Sequence, residues 1–145
     1  MRRLIAVALL AVVGVGGLGL GMTGCTQGVS SAALIPAVSP PVADVPIPAG
    51  FYMASESRSS VTPATSLRFV DHYYKGSDSY MPVVRFYRDQ LPAKGWTLVS
   101  QQQIGDKVVL NYTKGSEDLT ITIDEGVRHT HVNARIVPSS RGPAK

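Results

Sequence analysis

From Trp96 onward the sequence alternates apolar and polar residues with a period of two, and this pattern limits the fold more than any other feature. Period two is typical of strands with one buried face. One strand is predicted at 96–102, and three more follow, with turns at Gly105-Asp106, Lys114-Gly115-Ser116 and Glu125-Gly126. The apolar residues of the three later strands are Val108, Leu110 and Tyr112; Leu119, Ile121 and Ile123; and Val132, Ala134 and Ile136.

A single helix is predicted over 80–91, where Tyr80, Val84, Tyr87 and Leu91 recur at helical spacing. Pro92 is expected to end it, and Gly95 suits the left-handed residue that follows a helix. Two earlier strands are predicted at 51–54 and 66–75, with a Ser/Thr-rich turn region between them.

These elements predict an α+β domain of order ββαββββ, with one helix packed on a mostly antiparallel sheet. One helix cannot cover the crossovers that a parallel sheet requires. The sheet should then leave a polar face of Thr120, Thr122, Asp124, His131, Asn133 and Arg135 toward water or a partner.

The first 24 residues differ in kind from this domain. Arg2 and Arg3 precede an uncharged apolar stretch over 4–20, and small residues follow it. This is the order of a secretory signal. Residues 4–24 are also long enough to span a bilayer, so an uncleaved single-pass anchor is the alternative.

The residues Met22-Thr23-Gly24-Cys25 resemble the lipobox of bacterial lipoproteins, and Cys25 is the only cysteine. The resemblance implies cleavage after Gly24, a diacylglyceryl group on the Cys25 sulfur and acylation of the new amino end. It implies an exported protein held on the membrane by lipid, on the periplasmic or extracellular face. Because Thr26 stands where inner-membrane lipoproteins of enteric bacteria have Asp, the pattern favours the outer membrane where the cell has one.

The sequence therefore divides into a signal peptide at 1–24, a lipidated Cys25 with a Pro-rich linker over 25–46, a domain at 47–138 and a disordered tail at 139–145. Proline restricts the linker to extended conformations. Within the domain, the stretch from Phe86 to Trp96 resembles a motif of small bacterial exported domains, in which a helix with a Phe-Tyr pair runs into a Gly-Trp turn. That resemblance implies a fold and no function.

Composition excludes several function classes. Without Arg2 and Arg3 the 14 basic residues fall to 12, which face 10 acidic residues, so the formal net charge is only +2 and a nucleic-acid partner is not expected. A single cysteine excludes an internal disulfide framework and a cysteine-based zinc site.

We considered four sets of residues for chemistry. His129 and His131, with His72, are weak candidates for a metal site. Asp71 and His72 with the serines of 55–60 are ingredients of a hydrolase without a nucleophile motif. Asp124 and Glu125 fit a turn better than a catalytic pair. The last set, four tyrosines that could form a stacking surface, is more consistent with the core: Tyr73, Tyr74, Tyr80 and Tyr87.

We therefore expect no catalytic residues, no metal and no cofactor. The sequence favours a lipid-anchored envelope protein whose domain is a binding or structural module for a protein or cell-wall partner. The alternative is a single-pass protein carrying a small hydrolase-like or metal-binding domain.

Overall fold

The computed structural model describes residues 33–62 and 66–140. In order, these contain β1 (Tyr52–Met53), β2 (Arg58–Thr62), β3 (Leu67–Gly76), α1 (Tyr80–Ala93), β4 (Thr97–Ile104), β5 (Lys107–Lys114), β6 (Glu117–Glu125) and β7 (Thr130–Pro138). Their strands form one sheet in the order β1-β3-β7-β6-β5-β4, and β2 also pairs with β3. Every strand pair is antiparallel. The predicted α+β class with one helix on an antiparallel sheet is confirmed.

The element order is βββαββββ, so the predicted order ββαββββ lacked one strand. The missing strand is β2, which lies inside the stretch that was predicted to be a turn region. All five of its residues are exposed, and it pairs with β3 along the sheet edge. An exposed edge strand needs no apolar alternation, so its sequence RSSVT carries no signal of period two.

Helix α1 runs to Ala93, past the end that Pro92 predicts. Because Pro92 lies in the last turn, the hydrogen bond that it cannot donate is lost only at the helix end. The amides of Lys94 and Trp96 both donate to the Leu91 carbonyl, and Gly95 follows with φ of +85°. The helix buries five side chains against the sheet: Val83, Val84, Phe86, Tyr87 and Leu91.

The sheet face under the helix forms the hydrophobic core. Each of the three predicted apolar sets on β5, β6 and β7 lies on this covered face and is buried, as predicted. Strand β3 contributes Val70 and Tyr74 to the same core. Trp96, 1% exposed, fills the corner between α1 and β4.

The predicted linker over 25–46 is wrong for its second half. Val45 and Ile47 are buried in the core, and Leu34 and Val42 pack against it. The segment 33–50 also bonds to itself, because the Ala37 amide donates to the Ile47 carbonyl and the Ala49 amide to the Ile35 carbonyl. Proline-rich composition thus accompanies a folded segment here, residues 33–50, which we call the strap, and the predicted domain start at residue 47 is too late.

The signal peptide at 1–24, Cys25 and the start of the linker lie outside the described residues. Of the predicted tail at 139–145, the structure describes Ser139 and Ser140, and the Ser139 amide donates to the Ser116 carbonyl. No helix in the described part of the chain is long and apolar enough to cross a membrane.

Candidate functional site

The second face of the sheet, which we call the open face, lies opposite α1. Directly opposed residues of antiparallel strands project from the same face, so the pairing register arranges the open face in transverse rows. One row runs Ser60, Phe69, Val137, Asp118 and Thr113. The next row runs Arg58, Asp71, Arg135, Thr120, Asn111 and Ser100. Within 33–62 and 66–140, no helix packs on this face.

The two rows line an open depression of about 370 Å³, which we call the basic depression. Its open-face side chains are Arg58, Ser60, Phe69, Asp71, Arg135 and Val137. A smaller depression of about 240 Å³ adjoins it, with Val137 shared between them and with Val99, Asn111 and Thr120 on its far side. The open face therefore carries two adjoining depressions, and a ligand can lie across several strands.

The central carboxylate of the basic depression is held in place by neighbours on the open face. Asn133 donates from Nδ2 to Asp71 Oδ1 over 2.7 Å, and the Tyr73 hydroxyl lies 3.4 Å from Oδ2. Among the described residues neither Arg58 nor Arg135 forms an ion pair, although each is directly opposed to Asp71. Both guanidinium groups are thus available to a bound anion.

A polar ladder continues the Arg-Asp-Arg row across the sheet. Thr120 donates from Oγ1 to Asn111 Oδ1 over 3.0 Å, and Asn111 donates from Nδ2 to Ser100 Oγ over 3.0 Å. These bonds fix the orientation of the three side chains. The ladder presents uncharged hydrogen-bonding groups on a rigid scaffold, which suits selective binding.

Exposed aromatic rings accompany the guanidinium groups. Phe69 is 46% exposed, Tyr73 38% and Tyr52 55%. Phe69 and Tyr73 lie on the open face of β3, and Tyr52 is opposed to Lys75 on the same face. Half-exposed aromatic rings beside unpaired cations are typical of binding surfaces.

A second charged group, which we call the Asp44 cluster, connects the strap to the sheet. It consists of the strap residue Asp44 and the strand residues Arg68, Lys114 and Glu117. The Arg68 guanidinium donates to Asp44 from Nη1 over 2.8 Å and to Glu117 from Nε over 2.8 Å. Lys114 Nζ donates to Asp44 over 2.8 Å and lies 5.4 Å from the Trp96 ring centre. The Trp96 indole donates to the Asp44 carbonyl oxygen over 2.9 Å.

The ion pairs of this cluster hold the strap against the sheet. Burial alone would raise the pKa of Asp44, but the hydrogen bonds and charges of Arg68 and Lys114 lower it to about 2. Hydrogen bonds from Arg68 to Glu117 and Asp44 raise the pKa of the guanidinium further above its usual value. Every charge has a partner, so the cluster stabilises the strap and leaves no group for a ligand.

The three histidine side chains do not lie together in one site. His72 is 5% exposed on the covered face, where its Nδ1 lies 2.9 Å from the Tyr74 hydroxyl. His131 is exposed on the open face, whereas His129 precedes β7 and is not a strand residue. Among the described residues no group of three His, Cys, Asp or Glu side chains could hold a metal ion. Burial lowers the pKa of His72, against a smaller opposite effect of Asp71.

The residues considered for a hydrolase site, Asp71, His72 and the serines of 55–60, are also separated. Asp71 and His72 are neighbours on one strand and project to opposite faces of the sheet. The Ser57 hydroxyl accepts a hydrogen bond from the Tyr73 amide over 2.9 Å, which fixes the loop to β3. Asp124 on the open face pairs with Lys107 at 3.5 Å, and Glu125 ends β6 before the turn.

The tyrosines divide between the two faces. Tyr74 and Tyr87 are buried, which agrees with the core role favoured for them, whereas Tyr73 lies on the open face. Burial raises the pKa of Tyr74 to about 12, and it raises that of Tyr87 still more. The Tyr87 and Tyr112 hydroxyls are buried without a hydrogen-bond partner in the described part of the chain.

The predicted polar face exists, since all six of its residues lie on the open face. Sequence reasoning did not find the groups that make it a candidate site, namely Arg58, Phe69 and the pairing that brings them beside Arg135. One signal was available in the sequence of β3. Phe69, Asp71 and Tyr73 alternate with the buried positions of Val70 and Tyr74, and this indicates an aromatic and charged face opposite the core.

Residues 56–135 match the family model described as START domain-like. The match begins just before β2 and ends within β7, so it includes Arg58, Asp71 and Arg135. No curated protein and no solved structure matches the chain. Since the matched residues make up more than half of the sequence, the chain belongs to the START domain-like family.

Proposed function

We propose that this protein is a lipid-anchored, exported envelope protein whose domain binds a ligand on the open face. The observation that carries the binding role is the basic depression: two guanidinium groups without ion-pair partners in the described part of the chain, beside a half-exposed Phe69. Membership of the START domain-like family supports a small domain of ligand-binding type.

The export and anchoring role depends on the sequence order from Arg2 to Cys25. A diacylglyceryl cysteine carries two acyl chains, and two chains anchor durably because each buried CH₂ contributes about 0.8 kcal/mol. The acyl chains would then hold the domain at the membrane, so no residue of the open face is needed for attachment. The face is left for a ligand in the envelope.

The first experiment tests the anchor. The full chain is produced in a bacterial host, its membranes are separated, and the intact mass of the protein is measured. We expect a mature protein that begins at Cys25 and carries the lipid mass, while Cys25→Ser moves to the soluble fraction once the signal is removed. Met22→Leu, which brings the segment closer to the lipobox pattern, is the matched control and should stay lipidated. An unmodified Cys25 with residues 1–24 attached would establish the single-pass alternative instead.

The second experiment tests the open face. Isolated envelopes from which the endogenous protein has been removed are incubated with the purified Cys25→Ser chain after removal of its signal, so that no lipid holds it on the membrane, and the retained fraction is measured. Arg58→Gln and Phe69→Ser should each reduce retention, because they remove a donor and the exposed apolar surface of the depression. Lys107→Gln is the control, since it removes a cation of the same face whose partner is Asp124. Equal retention of all variants would contradict a binding role for this face.

A further inference from the structure

The basic depression combines two anion-binding groups with one carboxylate, and this combination limits its ligand. Arg58 and Arg135 flank Asp71 in one transverse row, so the three groups carry a net charge of +1. Opposed side chains in a sheet have Cβ atoms about 5 Å apart, so one ligand can reach all three. A guanidinium group binds a carboxylate or phosphate through two parallel hydrogen bonds.

Asp71 selects against a bare anion. Its carboxylate is held by Asn133 and Tyr73, so it stays in the depression and accepts hydrogen bonds there. An ionised carboxylate has no proton to donate, so its ligand must bring donors such as hydroxyl groups. Inorganic phosphate brings fewer hydroxyl donors to Asp71 than a sugar does, which makes it the weaker ligand. The ligand therefore carries an anionic group and hydroxyl groups side by side.

Phe69 and Val137 give the depression an apolar wall next to these polar groups. A half-exposed aromatic ring suits a ligand that has one apolar face and a polar rim. A pyranose ring has this shape, with C–H bonds on its faces and hydroxyl groups around it. The volume of about 370 Å³ lies at the lower end of ligand pockets, which matches one or two sugar rings.

We propose that the basic depression binds an acidic sugar unit, whose carboxylate or phosphate pairs with Arg58 and Arg135, whose hydroxyl groups donate to Asp71 and whose ring lies on Phe69. The inference rests on the proposed binding role of the open face and names its ligand class. The unit is either a free sugar acid or part of a wall polymer, since both present the same chemistry.

The test titrates the full chain in detergent with D-glucuronate, glucose 6-phosphate, D-glucose and inorganic phosphate, with calorimetry as the readout. We expect at least one of the two acidic sugars to bind about tenfold or more tightly than glucose or phosphate, each of which lacks half of the contacts. Arg135→Gln should weaken acidic-sugar binding by about tenfold or more, and Phe69→Ala should weaken it as well. Lys107→Gln should leave it unchanged.

Three outcomes overturn the proposal: neither acidic sugar binds more tightly than both glucose and phosphate, Arg135→Gln leaves acidic-sugar binding unchanged, or no probe binds. If no probe binds while the open-face variants still lose envelope retention, the ligand class is wrong and the binding role stands. If retention is also unchanged, the binding role is wrong too.

A further arm identifies the source of the sugar. A glucuronate-containing tetrasaccharide that binds more tightly than the monomer supports an acidic sugar within a polymer. Equal affinity supports a free sugar acid. Each result agrees with the recognition chemistry and indicates where to look for the natural ligand.

Discussion

The two faces of the sheet are built from the same strands and differ in what covers them. On β6, Ile121 is 0% exposed beneath α1, and its neighbours Thr120 and Thr122 project from the open face. The covered face holds the apolar side chains of four strands, the helix and the strap. The open face keeps polar, aromatic and unpaired cationic groups. Alternation along a strand thus lets one sheet keep a packed core on one side and exposed polar, aromatic and charged groups on the other.

The largest expected difference between the faces is in packing. Ile121→Ala should lower the free energy of unfolding by about 2–5 kcal/mol, because it removes buried methyl groups and leaves a cavity in the core. Thr122→Ala, one residue along the same strand, should change it by less than about 1 kcal/mol. Urea unfolding followed by circular dichroism measures both. Similar losses for the two variants would mean that the open face is also covered.

The next difference is electrostatic and concerns the strap on the covered side. The pKa of Asp44 falls from 3.8 to about 2 on folding, so its ionised form stabilises the protein above pH ~4, and this contribution is lost as pH falls through 2. Asp44→Asn should therefore lower stability by about 2 kcal/mol at pH 6. At pH 2.5 the gap to the wild type should shrink to less than about half.

Denaturant unfolding at the two pH values measures this gap. Asp106→Asn, in the exposed turn between β4 and β5, is the matched control and should match the wild type at both. A gap for Asp44→Asn that is the same at pH 6 and 2.5 would show that the carboxylate charge does not fasten the strap.

A smaller effect separates two histidines on opposite faces. Burial lowers the pKa of His72, so the neutral ring is favoured in the folded state. Its contribution to stability is complete above the unfolded pKa near 6.5 and is lost as pH falls toward the folded pKa. His72→Gln should flatten the decline in stability from pH 7.5 to 5, measured by thermal unfolding. His131→Gln on the open face should leave the decline as in the wild type, and an equal change in both variants would contradict the assignment.

The smallest effect on stability is expected at the basic depression itself. Arg135→Gln should change the free energy of unfolding by no more than about 0.5 kcal/mol, because Arg135 is exposed and has no ion pair among the described residues. Urea unfolding of this variant beside the wild type measures it. A loss above 1 kcal/mol would mean that the guanidinium is a structural group, and its role in binding would need another explanation.

The helix and strands could be predicted wherever burial of one face makes apolar residues recur at a regular spacing along the sequence. Strands β5 to β7 alternate because one face is covered, and α1 shows helical spacing for the same reason. The strap and β2 were not predicted because neither sequence shows apolar residues at a regular spacing. Strap residues Val45 and Ile47 are buried among prolines, and β2 is exposed along its whole length.

The site was harder to predict than the fold because β3 carries apolar residues on both faces. Leu67, Phe69 and the pair Tyr73-Tyr74 predict a strand, but they do not decide which of its faces is buried. The register with β7 buries Val70, His72 and Tyr74, and it places Phe69 on the open face. Only the pairing partner decides between the two faces, and a single sequence does not contain it.

The strap determines where a stable fragment of this protein can begin. A fragment that starts at residue 47 would lack Asp44 and Val45, so Arg68 and Lys114 would lose a shared counter-ion and the Trp96 indole its acceptor. Such a fragment is expected to aggregate or melt early, whereas one that starts near residue 31 keeps every contact described for the domain. Crystallisation or domain-fusion work should therefore cut before residue 33, so that the whole strap is kept.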